Sequence, residues 1–248
     1  EEEFARTMDL QTAGLKKAAI LFSGGVDSSL IAKAVLDRVP KTTAFVAGVE
    51  GSHDLGVAKK SASQLGIDLI SLEMSEKDVQ KSALECVGIL TFFDSMQIGI
   101  AVPALACCQK ISNAGHKVVF SGQGSDEIFC GYSSYVNALS SGGYPAVEEE
   151  LWNAVSRMWS RNFFRDDAIA SSCSLELRVP FMAKDFLAAA MSIPAQKKIL
   201  SASDDLRKHP IRALAISHGV PKEIAMQKKK AMQYGSGSQK IVNRLFKG

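Results

Sequence analysis

Residues 18–29, Ala-Ala-Ile-Leu-Phe-Ser-Gly-Gly-Val-Asp-Ser-Ser, constrain this chain more than any other stretch. Ala18 to Phe22 reads as a short buried strand and Ser23-Gly24-Gly25 as a tight turn. Val26 to Arg38 reads as a helix with Leu30, Ile31, Ala34 and Val35 on one face. A strand that passes into a helix through glycine makes an anion site, because the first helical N–H groups have no partner and point at the ligand. Gly24 and Gly25 carry no Cβ, so backbone can approach a phosphate closely. Ser23, Ser28 and Ser29 add hydroxyl donors. Asp27 does not suit a bare anion site: a carboxylate beside a polyphosphate is repelled unless a cation lies between them, and Mg²⁺ takes oxygen ligands from both. The run therefore predicts a site for ATP with Mg²⁺, in which Asp27 is a metal ligand and Ser23, Gly24, Gly25 and Ser28 surround the phosphates. It is not a Walker A loop, since no G-x-x-x-x-G-K-[ST] occurs.

The 248 residues suffice for one large or two modest domains, and 46% hydrophobic with 22% charged residues is ordinary for a soluble globular protein. A net charge of +3 is too small to argue for a nucleic-acid partner. The cysteines, Cys86, Cys107, Cys108, Cys130 and Cys173, form no C-x-x-C and suggest no zinc site. Such a set fits a reducing compartment, and the expected location is the cytoplasm. Glu1 to Glu3 is acidic where a secretion signal would be basic. The longest apolar stretch, Ile98 to Cys108, is broken by Pro103 and is too short to span a bilayer, so no membrane partner is expected.

Beyond the first loop, Thr43–Val49 reads as a strand, Asp54–Leu65 as a helix with Asp54 as its N-cap, and Ile67–Leu72 as a third strand. Pro103–Ser112 reads as a buried helix ending near Gly115, and Lys117–Phe120 as a fourth strand. This alternation predicts an α/β core over residues 15–139, a parallel sheet with helices on both faces. Ligands of such sheets bind beyond the strand C-termini. Ser140–Pro145 reads as a turn-rich break. A mainly helical part, residues 145–240, follows and completes the site within one domain. Its helices are expected over Glu148–Phe163, with Leu151, Val155, Met158 and Trp159 on one face, over Lys184–Met191 and over Ala202–His218. Trp152 and Trp159 read as core, and Gly235–Gly237 as flexible by composition.

The fourth strand runs into Ser121-Gly122-Gln123-Gly124-Ser125-Asp126-Glu127-Ile128-Phe129-Cys130-Gly131-Tyr132, again a strand, a glycine-rich loop and acidic residues. In a parallel sheet both loops end at one edge, so Asp126 can face Asp27 across one metal and triphosphate. Glu127 can instead serve the following helix, where a carboxylate suits the N-terminal dipole.

With these residues in order, the chain resembles the synthetase (C-terminal) domain of the asparagine synthetase family, within the ATP pyrophosphatases that share the pyrophosphate loop Ser-Gly-Gly-x-Asp-Ser. Ser23–Ser29 matches that loop. Gly51-Ser52-His53-Asp54-Leu55 resembles the family's Gly-Ser-x-Asp-Leu, and Ser121–Tyr132 its Ser-Gly-Glu-Gly-Ser-Asp-Glu-x-Phe-Gly-Gly-Tyr. Leu175–Phe181 resembles x-Glu-x-Arg-x-Pro-Phe, and Lys229 with Gly235 a late Lys followed by Gly. The resemblance implies the adenine-nucleotide α-hydrolase-like fold. It also implies ATP-dependent ligation of a carboxylate to ammonia or an amine through an acyl-adenylate, with release of pyrophosphate and AMP. Asparagine is the default product. In this reading Asp27 and Asp126 hold Mg²⁺, Leu21, Ala47, Ser121 and Gly122 contact the nucleotide, and Lys229 reaches the developing phosphate charge, with Lys228 or Lys230 of the same run, or a solvated face, as the other readings. Gln123 and Asp126 stand with Lys229 at the chemistry. Asp94, Glu176 and Arg178 are assigned to the substrate pocket. Asp94 has a helix cap as its other reading, and Glu176 with Arg178 a structural ion pair.

Two departures matter. Gln123 stands where the family has a Glu, and an amide cannot accept a proton as a general base. Gly99, Ala101 and Val102 stand where the family places an Arg and a Ser-Thr before the Pro, which suggests a different or less polar acyl substrate. The family's glutaminase domain has no room here, which leaves free ammonia or a separate glutaminase subunit as the nitrogen source and a homo-oligomer open. Two other readings remain at this stage: another pyrophosphate-loop adenylating enzyme, such as a tRNA-modifying one, and a non-catalytic nucleotide-binding module.

Overall fold

Ala18, Ala19 and Ile20 are fully buried, as a strand covered on both faces requires, and they form the centre of the sheet. The computed structural model describes residues 1–228 and 235–246, with the backbone alone at Arg161. In chain order the elements are α1 (Glu2–Thr12), β1 (Lys17–Leu21), α2 (Val26–Leu36), β2 (Lys41–Val49), α3 (His53–Leu65), β3 (Asp68–Met74), α4 (Glu76–Leu90), α5 (Ser95–Asn113), β4 (Val118–Phe120), α6 (Ser125–Ile128) and α7 (Ser133–Met158). A single π-helical turn (Trp159–Phe163) leads to α8 (Phe164–Ser172), β5 (Glu176–Arg178), a short 3-10 turn (Pro180–Met182), α9 (Lys184–Met191), α10 (Ala195–Lys198), α11 (His209–Ser217), α12 (Lys222–Ala225) and α13 (Ser238–Leu245).

The five strands lie in the order β3-β2-β1-β4-β5 and every pairing is parallel. Ala18 and Ile20 face a core shared with α1, α2, α9 and α11, while Ala19 faces a second core built from α4, α5, α8 and α13. The chain moves outward from β1 through β2 to β3, then returns over α4 and α5 to place β4 on the other side of β1. That reversal puts a crevice at the C-terminal ends of β1 and β4, the place where open α/β sheets bind ligands. The α/β fold with helices on both faces is thus as the sequence predicts.

Several elements differ from expectation. The α4 helix escapes the sequence reading although Val79, Ala83, Cys86 and Leu90 form its buried stripe; Ser75 and Asp78 close a capping box at its start. Within α7 two helical stretches meet at non-helical backbone at Gly143 (φ 67°, ψ −164°), just ahead of Pro145 and inside the break expected at Ser140–Pro145. Ala202–His218 is helical only from His209, because the Asp204 carboxylate holds the backbone N–H groups of Leu200, Leu206 and Arg207 in a loop instead. Trp152 and Trp159 are exposed; Leu151 and Met158 carry the buried face, and the π-helical turn begins at Trp159.

The segment after residue 234 is anchored rather than free. Pro103, inside α5, has no N–H to offer the carbonyl of Gly99 four residues earlier. Ser238 Oγ fills that vacancy by donating to Gly99 O at 2.6 Å. Ser236 O accepts from Val49 N–H at 2.8 Å, which fixes the same segment to the end of β2. A Cβ on Gly99 would meet the Gln239 carboxamide, so any larger residue there would make that side chain move. Among the described residues no single helix is long and apolar enough to cross a membrane.

Candidate active site

The crevice is a cleft of about 600 Å³. The ends of β1 and β2 supply Leu21, Phe22, Phe45 and Ala47; the first loop supplies Ser23, Gly25, Asp27 and Ser28; the second supplies Ser121, Gly122, Gln123, Asp126 and Glu127. All the nucleotide-contact positions named from sequence therefore meet in one place, apart from Gly24. Gly24 is required for another reason: its φ is +75°, and a Cβ there would lie 2.9 Å from Ala58 Cα and Val57 O of α3. Ser61 Oγ donates to Gly24 O at 2.9 Å and locks that contact. Ser29, expected as a hydroxyl donor, is fully buried in α2 and does not line the cleft.

Within the first loop, Ser28 Oγ donates to Gly25 O at 3.2 Å and lies 3.1 Å from Ser23 Oγ. Gly122 passes so close to α2 that a Cβ on it would be 3.1 Å from Ser28 N and 3.2 Å from Asp27 C. The two loops thus pack against each other as one surface at the N-terminus of α2. Ser125 Oγ donates to Asp27 Oδ1 at 2.7 Å and joins them by side chain.

The sequence reading missed the cation between the two aspartates. Lys208 Nζ lies 2.6 Å from Asp27 Oδ2 and 2.6 Å from Asp126 Oδ1, and the Lys208 side chain is only 2% exposed. Burial pulls its ammonium down, but Asp126 and Asp27 outweigh that and hold it above the ordinary value, so it is charged. Lys208 stands just before α11 at φ 55°, and a single lysine in Arg207-Lys208-His209 gives no periodic signal. Among the described residues no three His, Cys, Asp or Glu side chains converge as a metal cage. The Asp27–Asp126 pair nevertheless arranges two carboxylate oxygens about one cation position. That set suits Mg²⁺, which takes one or two carboxylates, keeps waters and completes its shell from phosphates.

The opposite wall comes from helices. Gln97, Ile100, Pro103 and Ala104 of α5 face the cleft, as do Asn153 and Arg157 of α7, Asn162 of the π-helical turn and Arg165 of α8. Arg165 is 4% exposed, donates through Nε to Asp166 Oδ1 at 2.7 Å and through Nη1 to Gln97 Oε1 at 2.7 Å. Gly99, Ala101 and Val102 are buried away from the cleft, so the altered 97–103 segment loses its polar groups on the core side rather than in the pocket. Glu127 does not cap a helix from outside: it is buried and accepts from Tyr132 Oη at 2.6 Å and from Asn162 Nδ2.

Three assigned residues are not brought into the cleft. Asp94 caps α5, accepting from Met96 N–H at 2.8 Å and Gln97 N–H at 3.0 Å. Asp54, by contrast, is not the cap of α3, whose N-cap is Ser52; it lines the cleft in the first turn. Glu176 and Arg178 lie on the edge strand β5, bonded to each other at 2.8 Å, and Arg178 also donates to Gln11 O of the segment α1. They border a separate depression with Leu10 and Gln11. Lys229 lies outside the described residues; Gln227 and Lys228, which precede it, line the cleft, and Lys228 pairs with Asp205 at 2.6 Å.

The comparisons agree with this architecture. The asparagine synthase family profile matches residues 1–145 and 137–247. A protein of Methanocaldococcus jannaschii named as a glutamine-hydrolysing asparagine synthetase is 31% identical over 262 residues, covering 94% of this chain and 48% of that protein. The glutamine-hydrolysing asparagine synthetase of Rattus norvegicus is 29% identical over 240 residues, covering 94% of this chain and 42% of that protein. The chain thus spans about half the length of these relatives. Among solved structures, NMN synthetase from Francisella tularensis superposes with a TM-score of 0.52 at 15% identity, over 98% of this chain and 85% of that one, a likeness of fold alone. By sequence profile, by relatives and by the two loops that meet at the sheet's switch point, this chain belongs to the asparagine synthase family.

Proposed function

We propose that this chain is the ATP-using part of an amide ligase. A carboxylate oxygen of the acyl substrate attacks the α-phosphorus of ATP, the bond to the bridging oxygen of pyrophosphate breaks, and the acyl-adenylate passes its acyl group to ammonia or an amine with release of AMP. Aspartate as donor and asparagine as product are the default within this family. The observation that carries the reading is the convergence of Asp27 and Asp126 on one cation position beside the N-terminus of α2. Mg²⁺ held by those two carboxylates would neutralise charge on the departing pyrophosphate. The unpaired N–H groups of α2 and the hydroxyls of Ser23 and Ser28 orient the phosphates. Leu21, Ala47, Ser121 and Gly122 border the nucleotide. Lys229 is assigned the developing charge at the α-phosphate. On the helical wall of the cleft Arg165 is already paired with Asp166 and Glu150 stands nearby, so Arg157 is the cation assigned to a second carboxylate of the substrate.

Pyrophosphate release with a panel of carboxylates, with ammonia or an amine present, tests the proposal. The wild-type chain is expected to release pyrophosphate and AMP in equal amounts with at least one of them. Asp27→Asn, with an unchanged circular dichroism spectrum, is expected to lose at least ~100-fold in turnover, the scale of one transition-state electrostatic contact. Wild-type release from a folded Asp27→Asn protein refutes the role given to Asp27. ATP binding without any release supports a nucleotide-binding module instead.

A further inference from the structure

We propose that Lys208 is a resident counter-ion that keeps divalent metal out of the Asp27–Asp126 pair until nucleotide arrives, so that metal and ATP bind as one event. The inference rests on the reading above that these carboxylates hold the metal. Lys208 Nζ is 2.6 Å from an oxygen of each aspartate, which is the position a shared cation needs. Asp27 Oδ1 is already taken by Ser125 Oγ, so a Mg²⁺ bridging the two carboxylates has to compete with the ammonium for Asp27 Oδ2. A metal entering alone would have to displace a buried charge.

That displacement is costly in the nucleotide-free protein. The Lys208 side chain is 2% exposed, and its stem is confined: a Cβ on Gly131 would overlap both Lys208 Cε and Asp126 Oδ1. Moving the ammonium off its carboxylates without a new anion leaves a buried unpaired charge. Arg212, buried beside it and bonded to the carbonyls of Leu206, Arg207, Ala225 and Gln227, is already committed and adds positive charge. A triphosphate removes the obstacle, because it offers Lys208 a new anionic partner as the metal takes the carboxylates. Binding of the two is then positively coupled, each favouring the other by the same factor. The two aspartates are legible as a metal pair; what the structure adds is that their default partner is a lysine.

The test uses Mn²⁺ as the probe, read by electron paramagnetic resonance of the free ion and by calorimetry. In the wild-type protein without nucleotide, Mn²⁺ is expected to bind with a dissociation constant no tighter than about 1 mM, the weak end of carboxylate-site affinities. Lys208→Met and Lys208→Gln, each checked by thermal melting, are expected to bind Mn²⁺ alone at least ~10-fold more tightly, with the pair freed of its like-charged competitor. A non-hydrolysable ATP analogue is expected to recruit Mn²⁺ to the wild-type protein beyond what the analogue binds in solution. Tight binding of Mn²⁺ alone to the wild type, or unchanged affinity in a folded Lys208 variant, overturns the inference while leaving the metal reading in place. Absence of protein-bound Mn²⁺ in every protein, even with the analogue, overturns both. Should neither Lys208 variant fold, the wild-type measurement without nucleotide still decides.

Discussion

At position 131 one methyl group would disrupt the cleft, since it would overlap the Asp126 carboxylate and the Lys208 side chain together. Next to it, Cys130 sits at φ 59°, backbone that favours glycine, where the family pattern has a glycine. Its thiol is buried and pushed up to about 12, so it is an inert packing group rather than a nucleophile. Gln123 lines the cleft beside these residues, and its amide cannot take a proton. Gln123→Glu is therefore expected to raise amide formation more than it raises pyrophosphate release; an unchanged ratio of the two in a paired assay refutes a proton-handling role at this position. Residues of this kind divide in how far sequence exposes them. Asp27 and Asp126 are legible because each follows a strand and a glycine turn, and parallel strands deliver such turns to one edge. Lys208 and Arg165 are not, because each reaches the cleft from a helix or loop whose local pattern carries no sign of where its tip ends.

At the scale of elements, the strand–turn–helix units were readable because apolar runs bounded by glycine have few alternatives. The later half was less so. Helices α7 and α8 are joined by a π-helical turn that no periodicity announces, and α11 begins late because Asp204 captures backbone donors that a helix would otherwise use. The tail around Ser236 shows the same limit. Its glycines and serines suggest freedom, yet Ser238 repairs the hydrogen bond that Pro103 breaks in α5. Ser238→Ala leaves the buried Gly99 carbonyl without that donor and is expected to cost about 1–2 kcal/mol, the price of one unsatisfied buried acceptor. A urea midpoint identical to wild type would mean that α5 satisfies this carbonyl by another route.

For the whole molecule, acid sensitivity follows from the loop between α10 and α11. Burial pushes the Asp204 carboxyl up, but N–H donation from Leu200 and Arg207, with His209 2.7 Å away, more than reverses this and holds it at about 2, against an ordinary 3.8. A carboxyl depressed in the folded state contributes stability that is present above its unfolded value and is lost as pH falls through the folded one. Wild-type stability is thus expected to exceed that of Asp204→Asn near neutrality, with the gap closing as pH falls from about 4 to about 2. A gap that is constant across that range in urea titrations refutes the assignment. The loop matters beyond its own stability because Lys208, its last residue, and Arg212, in the first turn of α11 behind it, both line the cleft.

The bond from Ser238 to the carbonyl exposed by Pro103 also bears on how the chain comes off the ribosome. Helix α5 is made early, but its broken turn stays unsatisfied until a residue 139 positions later has been synthesised. The second face of the sheet, which α5 shares with α13, therefore cannot close before residue 238 has been made. An incomplete chain exposes apolar surface on that face and leaves β2 without its final tether. Emergence of residue 238, rather than emergence of the glycine-rich loops, becomes the moment at which a finished cleft first exists. A chain stalled before residue 238 is then a substrate for chaperones and proteases, whatever the residues ahead of it have already built.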